Sequence, residues 1–123
     1  MLKKRLVAAL IIRNGLIVQS IGFERYLPIG RPEFPIEFIA RWDVDEIVVV
    51  DISATSDSRT IETDLLKKIS EKCFVPLTVG GGIKSVEDVR RLTSAGADKI
   101  VINSYAIQQP SIITDIARVF GNQ

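Results

Sequence analysis

Apolar residues along this chain follow two alternating patterns. Four short runs are mostly apolar at consecutive positions, which is typical of strands that are buried on both faces of a parallel sheet. These runs cover residues 6–12, 46–52, 76–79 and 99–102. Between them, and after the last, apolar residues recur every three or four positions, which predicts amphipathic helices. The order therefore predicts four βα units in series.

Four helices are predicted in this series. The first covers residues 33–42, where Phe34, Phe38 and Ile39 share one apolar stripe. In the third, Ser85 is a favourable N-cap and opens a Ser-x-x-Asp version of the capping box. The stripes of the other three helices lie within the ranges 61–73, 86–95 and 112–120.

The connection after the first strand is long. Residues 13–31 separate the first strand from the first helix, and Asn14-Gly15 is a turn signal at their start. Residues 16–23 could extend as a short hairpin-like excursion. Because long loops in compact domains are often functional, we expect this segment to be a loop near a site.

Parallel strands that alternate with helices define an α/β protein. Two architectures fit: a doubly wound sheet with helices on both faces, or part of a TIM (β/α)8 barrel with helices on one face. Arg5, Glu46 and Lys99 stand at the N-terminal ends of three strands and share a face with the apolar alternate residues. They could form a salt-bridged ring at the bottom of a barrel, and three unrelated strand-edge charges fit the spacing equally well.

A glycine turn follows the third strand. Gly80, Gly81 and Gly82 lack a Cβ, so the backbone can turn sharply and approach a ligand closely. Free amides after such a turn, near the start of a helix, suit an anion such as phosphate. A tight βα turn without a ligand explains the glycines as well, so the turn alone leaves both interpretations open.

Composition narrows the class of protein. The 123 residues predict a single domain over residues 1–123, with 46% hydrophobic and 25% charged residues and a net charge of +1. No basic block or membrane-length apolar run occurs, so we expect no nucleic-acid or membrane partner. With no histidine and one cysteine, an internal disulfide, a zinc site and a His-based triad within one chain are excluded. We expect no metal and no cofactor. The cytoplasm is the expected location.

Several motifs resemble one known family when they are taken together and in order. They lie in residues 1–5, 45–54, 77–83 and 96–104 and at Pro110. The chain resembles the N-terminal half of the cyclase subunit of imidazole glycerol phosphate synthase, a lyase of histidine biosynthesis. That family consists of (β/α)8 barrels built from two similar halves. The resemblance implies a (βα)4 half-barrel with its helices on one face.

The resemblance implies a phosphate site at the C-terminal ends of the strands. Gly82, Asn103 and Ser104 match residues of the family's phosphate site in this half, and Gly81 stands beside Gly82 in the same turn. Asp51 matches a position at the mouth of the active site. It is a candidate acid or base, and the alternative is a strand-end carboxylate satisfied by its neighbours.

The resemblance also implies a face for a partner. Arg5, Glu46 and Lys99 match three members of the family's charged gate, through which ammonia enters the barrel. Asp98 matches a residue that faces the glutaminase partner. If the three gate charges are buried, removal of Glu46 is expected to cost roughly 3–5 kcal/mol.

Two departures from the family pattern bear on activity. Ile11 replaces the catalytic aspartate of the first strand, and the second catalytic aspartate belongs to a fifth strand that this chain lacks. General acid–base catalysis needs a titratable group near the proton, and isoleucine has none. Gln19 replaces a lysine of the mobile first loop. A surface-sugar branch of the family also carries apolar residues at the first-strand position and is thought to work with a glutaminase.

These observations favour a half-barrel that binds a phosphorylated small molecule and lacks cyclase activity. Its strands would leave an apolar inner face and two sheet edges open, so we expect a homodimer or higher homo-oligomer that completes a barrel. Two alternatives remain: a lyase or cyclase of the family's type, and an ammonia-receiving subunit paired with a glutaminase for sugar modification.

Overall fold

The computed structural model describes residues 2–123 and contains one six-stranded sheet with helices packed against it. The strands are β1 (Val7–Arg13), β2 (Leu16–Ile21), β3 (Arg25–Gly30), β4 (Glu46–Asp51), β5 (Leu77–Gly80) and β6 (Lys99–Val101). The helices are α1 (Glu33–Ala40), α2 (Thr63–Lys72), α3 (Val86–Ser94), α4 (Ser104–Gln108) and α5 (Ser111–Phe120).

The strand order identifies the architecture. The sheet runs β3-β2-β1-β4-β5-β6, and the pairs β1–β4, β4–β5 and β5–β6 are parallel. Each parallel strand is thus added beside the previous one, in chain order and without a reversal. Right-handed crossovers then place every helix on the same face, as in a (β/α)8 barrel and unlike a doubly wound sheet. The predicted fold class, part of a TIM barrel, is confirmed.

The core lies between the sheet and the helices. Ile47, Val49, Leu77 and Val79 point alternately to this side and are essentially fully buried. They belong to one cluster with the buried residues of the helices, which are Ile36, Leu66, Ile69, Val89, Leu92, Ile112 and Ile116. Burial of this single apolar layer is the main stabilising term of the chain.

The opposite face of the sheet is apolar but open. Val7 and Val101 lie on it and are 46% and 38% exposed, while Val48 and Val50 are half-buried. No helix of residues 2–123 covers this face, because all crossovers lie on the other side. The sheet therefore has one dry face and one apolar face in contact with solvent.

The structure corrects the expected loop over residues 13–31. Most of this segment is a β-hairpin in which β2 pairs with β1 and β3 pairs with β2, both antiparallel. The hairpin-like excursion predicted for residues 16–23 is therefore present, but it continues to Gly30 and extends the sheet. Its tip is a tight turn in which Gly22 and Phe23 both have positive φ, 60° and 59°.

The predicted stripe of α1 is wrong for its two phenylalanines, whereas its third member, Ile39, is partly buried against the core. Phe34 and Phe38 face solvent, at 73% and 58% exposure, and the buried residue is Ile36. The helix ends at Ala40, so Trp42 lies beyond it and packs edge-to-face on Phe38. Because α1 is apolar on nearly all sides, spacing alone cannot decide which stripe faces the sheet.

The remaining elements follow their local signals. Ser85 caps α3 through the predicted capping box, since its hydroxyl accepts from the Asp88 N–H at 3.0 Å while the Asp88 carboxylate accepts from the Ser85 N–H at 3.1 Å. Pro110 is the N-cap of α5 and Gly121 its C-cap. The short helix α4 follows β6 without a predicted counterpart.

Candidate functional site

The glycine turn after β5 is held against the loop that follows β4. Gly81 and Gly82 have φ angles of 111° and 69°, which other residues rarely adopt. A Cβ on Gly81 would lie 2.3 Å from the carbonyl oxygen of Asp51, and one on Gly82 would lie 1.8 Å from that of Arg59. Neighbouring backbone therefore requires glycine at both positions, whether or not a ligand binds.

A cavity of about 440 Å³ opens at the C-terminal ends of β4, β5 and β6. Its volume is within the range of small-molecule sites. Its lining includes every residue of the predicted phosphate site together with the candidate acid or base: Asp51, Gly81, Gly82, Asn103 and Ser104. In a barrel, ligands bind at this end of the strands. The fold thus brings together residues that are far apart in the sequence.

Several hydrogen-bond donors at this cavity are unused. The backbone N–H groups of Gly82 and Ser104, and the side chains of Asn103 and Ser104, make no hydrogen bond within residues 2–123. Backbone N–H groups are strong donors that are nearly always paired with protein, water or a ligand. The cavity therefore offers convergent donors to a molecule that carries acceptor oxygens.

Asp51 is a satisfied carboxylate. It is 2% exposed, and its Oδ2 accepts from Arg59 Nη1 at 2.8 Å. Its Oδ1 accepts from the backbone N–H of Ser53 at 2.9 Å and from the Ser53 hydroxyl at 2.6 Å. These contacts correspond to the structural alternative for Asp51, a strand-end carboxylate paired with its neighbours.

Two residues at this site were not indicated by the sequence: Lys84, which lines the cavity, and Arg59, which lies beside it. Hydrogen bonding to Asp51 raises the pKa of the Arg59 guanidinium, and the nearby charges of Asp51 and Asp57 act in the same direction against the effect of burial. The contact spans eight residues and a loop, so no helical or strand periodicity signals it. The one signal that could have indicated the ion pair is an arginine in the loop that follows a strand with an acidic last residue.

The cavity wall carries one charge of each sign, and only the positive one has no partner. Among the residues that line the cavity, only Asp51 and Lys84 carry charge. Asp51 is paired with Arg59, whereas Lys84 belongs to none of the salt bridges within residues 2–123. An ammonium group without a carboxylate partner favours an anionic ligand.

The predicted charge cluster lies at the opposite end of the strands. Glu46 Oε2 is 3.0 Å from Lys99 Nζ and 3.6 Å from Arg5 Nη2. The Thr78 hydroxyl, which sequence reasoning missed, donates to Glu46 Oε1 at 2.6 Å. The bonds from Thr78 and Lys99 lower the pKa of the Glu46 carboxyl below its ordinary value of 4.5, against the effect of burial.

The burial of this cluster is uneven. The side chain of Glu46 is only 10% exposed, but those of Arg5 and Lys99 are 54% and 37% exposed. Cations with this access to water keep most of their hydration when the carboxylate is removed. The cost that was expected for complete burial is therefore too high. We expect removal of the Glu46 carboxylate to cost about 1–2 kcal/mol of stability.

Asp98 is exposed but also has a structural contact. Its Oδ2 accepts from the backbone N–H of Leu77 at 2.8 Å, at the start of β5. Asp45 makes the equivalent contact with the N–H of Leu6, at 2.7 Å, before β1. Each aspartate immediately precedes the strand that pairs with the segment it contacts.

Ile11 occupies the position at which the resemblance expects a catalytic aspartate. It lies opposite Val50 of β4 and on the open face of the sheet, by alternation from Val7. Gln19 lies on β2, opposite Leu27 of the hairpin, and is exposed. The C-terminal end of β1 thus presents an apolar side chain at this position.

Residues 2–123 contain neither a candidate membrane span nor a candidate metal-binding cluster. The helices there are all too short or too polar to cross a membrane. The same part of the chain holds no group of three or more acidic, histidine or cysteine residues that could bind a metal ion.

The fold and this cavity define a barrel-type α/β chain with a candidate anion site at the C-terminal ends of its strands. Residues 5–123 match the family model described as histidine biosynthesis protein. The chain belongs to this family, and the predicted resemblance is confirmed.

Several similar proteins are named as subunits of imidazole glycerol phosphate synthase. A Vibrio vulnificus protein provisionally named imidazole glycerol phosphate synthase subunit hisF2 is 50% identical over 123 residues, which are 100% of this chain and 45% of that protein. Imidazole glycerol phosphate synthase subunits HisF of Alkaliphilus metalliredigens and Thermococcus onnurineus are 45% and 43% identical, and the matches cover 49% and 48% of them. They cover 100% and 99% of this chain. The chain spans about half the length of the curated relatives it matches.

The first prediction concerns the charge cluster. Replacement of Glu46 by Gln is expected to lower the free energy of unfolding at pH 7 by about 1–2 kcal/mol, because Lys99 and Arg5 lose their anionic partner. Since the folded pKa of Glu46 is depressed, its contribution is complete above the ordinary value of 4.5 and is lost as the pH falls through the folded pKa. Urea unfolding of both proteins as a function of pH measures the difference.

Glu87→Gln is the matched control, because the pair of Glu87 with Arg90 is exposed on both sides. Its expected effect is at most about 0.5 kcal/mol at any pH. A Glu46→Gln effect that is no larger than that of the control, or one that persists unchanged in acid, would contradict the assigned role of the carboxylate.

Proposed function

We propose that this chain binds a phosphorylated small molecule at the cavity formed by β4, β5 and β6. The observation that carries the proposal is the convergence of unused donors at Gly82, Asn103 and Ser104 with the unpaired ammonium of Lys84. Phosphate oxygens are strong acceptors and carry the charge that this wall attracts. The family of the chain and the matching positions of these residues support the same ligand class.

We propose that this chain alone does not catalyse a cyclase step. Ile11 offers no titratable group at the end of β1, and Asp51 is already bonded to Arg59 and Ser53. A proton transfer needs an acid or base within hydrogen-bond reach of the reacting atom. A lyase or cyclase activity of the family's type is the alternative, and turnover by the wild type would favour it, whereas turnover restored only by Ile11→Asp would indicate a decayed enzyme. The cytoplasm is the location we propose.

The second prediction is that inorganic phosphate stabilises the protein. At ten times the Kd the stabilisation is expected to be about 1.4 kcal/mol, which raises Tm, whereas chloride at equal ionic strength has no such effect. Replacement of Lys84 by Gln is expected to weaken phosphate binding about threefold, the effect of one exposed charge. Thermal unfolding over a phosphate titration measures both.

The matched control is Lys68→Gln, because Lys68 is an exposed residue of α2 and does not line the cavity. Its phosphate affinity should equal that of the wild type. If phosphate does not shift Tm at millimolar concentration, the proposed ligand class is wrong. If both lysine variants weaken binding equally, the charge of Lys84 is not specific to the cavity.

We also propose that the open face of the sheet is covered by a second copy of the chain. Its apolar side chains, among them Val7 and Val101, would otherwise stay in contact with water. One edge of β1 is also incomplete, because the register with β2 includes only Ile11, Ile12 and Arg13. Unpaired strand edges and a bare apolar face favour association, and a two-fold axis would bring eight parallel strands together.

The third prediction is that the purified protein has a solution mass of twice 13.6 kDa, or an even multiple of it. Light scattering measures this mass. Val101→Asp puts a charge on the open face and should shift the protein toward monomer or reduce its solubility. Val119→Asp is the control, because Val119 is 52% exposed on α5, away from the open face. A monomeric wild type, or equal effects of the two variants, would contradict this assembly.

A second candidate function is a surface that receives ammonia from a glutaminase. The observation that favours it is the cluster of Arg5, Glu46 and Lys99 at the end of the strands opposite the cavity, with Asp98 exposed nearby in sequence. Copurification of tagged protein with a glutaminase is the expected result, and Arg5→Ala should weaken it. Absence of binding to a glutaminase at micromolar concentration would contradict this candidate.

A further inference from the structure

The ion pair of Asp51 and Arg59 stands between two cavities. Asp51 lines the cavity described above, whereas Arg59 lines a neighbouring one of about 350 Å³. Gly82 and Lys84 line both. The pair is therefore part of the wall at the turn where the proposed phosphate site lies.

Arg59 is fixed by contacts on both of its terminal nitrogens. Nη1 donates to Asp51 Oδ2 at 2.8 Å and to the carbonyl oxygen of Thr60 at 3.0 Å. Nη2 donates to the Ser53 hydroxyl at 3.1 Å and to Asp57 at 3.2 Å. A planar guanidinium with this many partners has little freedom, so its charge stays beside the Asp51 carboxylate.

The backbone of Arg59 also touches the glycine turn. The position of a Cβ on Gly82 would be 1.8 Å from the Arg59 carbonyl oxygen, so the loop and the turn are in direct contact. The Ser53 hydroxyl, which bonds to both Asp51 and Arg59, accepts from the N–H of Asn14 at 3.1 Å. The ion pair thus joins the ends of β1, β4 and β5.

The charge of Asp51 presents a difficulty for an anion site. The carboxylate is 2% exposed, so water screens it poorly, and Asp51 is among the residues that line the cavity in which a phosphate dianion would bind. An unpaired carboxylate at this place would repel that ligand. Arg59 supplies the compensating charge from behind the wall, without occupying the cavity.

We infer that Arg59 is a specificity-determining residue, which masks the negative charge of Asp51 so that the cavity accepts a dianionic phosphate group. This inference rests on the proposed function. In this arrangement the charges of Asp51 and Arg59 compensate each other, and the ammonium group of Lys84 is the charge that the ligand meets. It also accounts for an acidic residue in a cavity whose ligand is an anion.

The fourth prediction tests this masking through charge removal. Arg59→Gln is expected to weaken inorganic phosphate binding at least tenfold, because it uncovers the carboxylate. Asp51→Asn removes the repulsion and should bind phosphate as tightly as the wild type or more tightly. The double variant Asp51→Asn, Arg59→Gln should return to within about threefold of the wild type. Calorimetric titration with inorganic phosphate measures all four affinities at one pH and ionic strength.

A merely structural role of the pair gives a different pattern. If the pair only held the loop in place, Asp51→Asn would weaken phosphate binding as much as Arg59→Gln, and the double variant would not recover. That pattern would overturn the inference. Asp115→Asn is the control, because Asp115 is a 51% exposed partner of Arg118 on α5, outside both cavities, and it should leave phosphate affinity unchanged.

Thermal unfolding of the same four proteins distinguishes a failure of this inference from a failure of the proposed function. Arg59→Gln should lower Tm by roughly 5 °C, since it leaves a buried carboxylate unpaired, and the double variant should regain most of that loss. If the wild type binds no phosphate, the proposed function fails, and recovery of Tm still decides whether Arg59 compensates Asp51. If Tm does not recover in the double variant, or if Arg59→Gln binds phosphate normally, the masking role is excluded.

Discussion

The close contact between the glycine turn and the loop after β4 is the constraint on which the upper end of this sheet depends. Gly81 and Gly82 leave no space for a side chain, because the carbonyl groups of Asp51 and Arg59 lie against them. The contact lies directly beyond the last paired residues of β4 and β5, Val50 and Gly80. The cavity lies beside this contact, so closely packed backbone forms part of its wall.

The two faces of the sheet give the chain a second constraint. The helices bury Ile47, Val49, Leu77 and Val79 on one side, and these residues form one core cluster with buried residues of α1, α2, α3 and α5. The other side carries residues of the same chemical kind but has no layer of its own. A sheet with two apolar faces needs two partners, and right-handed crossovers supply only one of them.

The parts of this structure that sequence predicts are those with local causes. Strand positions follow from runs such as Ile47–Val50, and the start of α3 follows from Ser85 and Asp88, because each signal lies within the element itself. The predicted buried face of α1 was wrong at Phe38, because Ile36 and Phe38 are both apolar and only packing against the sheet distinguishes them. The ion pair of Arg59 was missed because a loop, not a repeat, brings it to Asp51.

The two aspartates that precede β4 and β6 have a consequence for strand alignment. Asp45 bonds to the N–H of Leu6 and Asp98 to that of Leu77, each one residue before a parallel pair of strands begins. Parallel strands have no tight turn to fix their alignment, and a slip of one residue would exchange the dry face for the open one. Each of these hydrogen bonds can form in only one alignment of the two strands. The same device occurs in both halves of the chain, so each half carries its own safeguard against slippage.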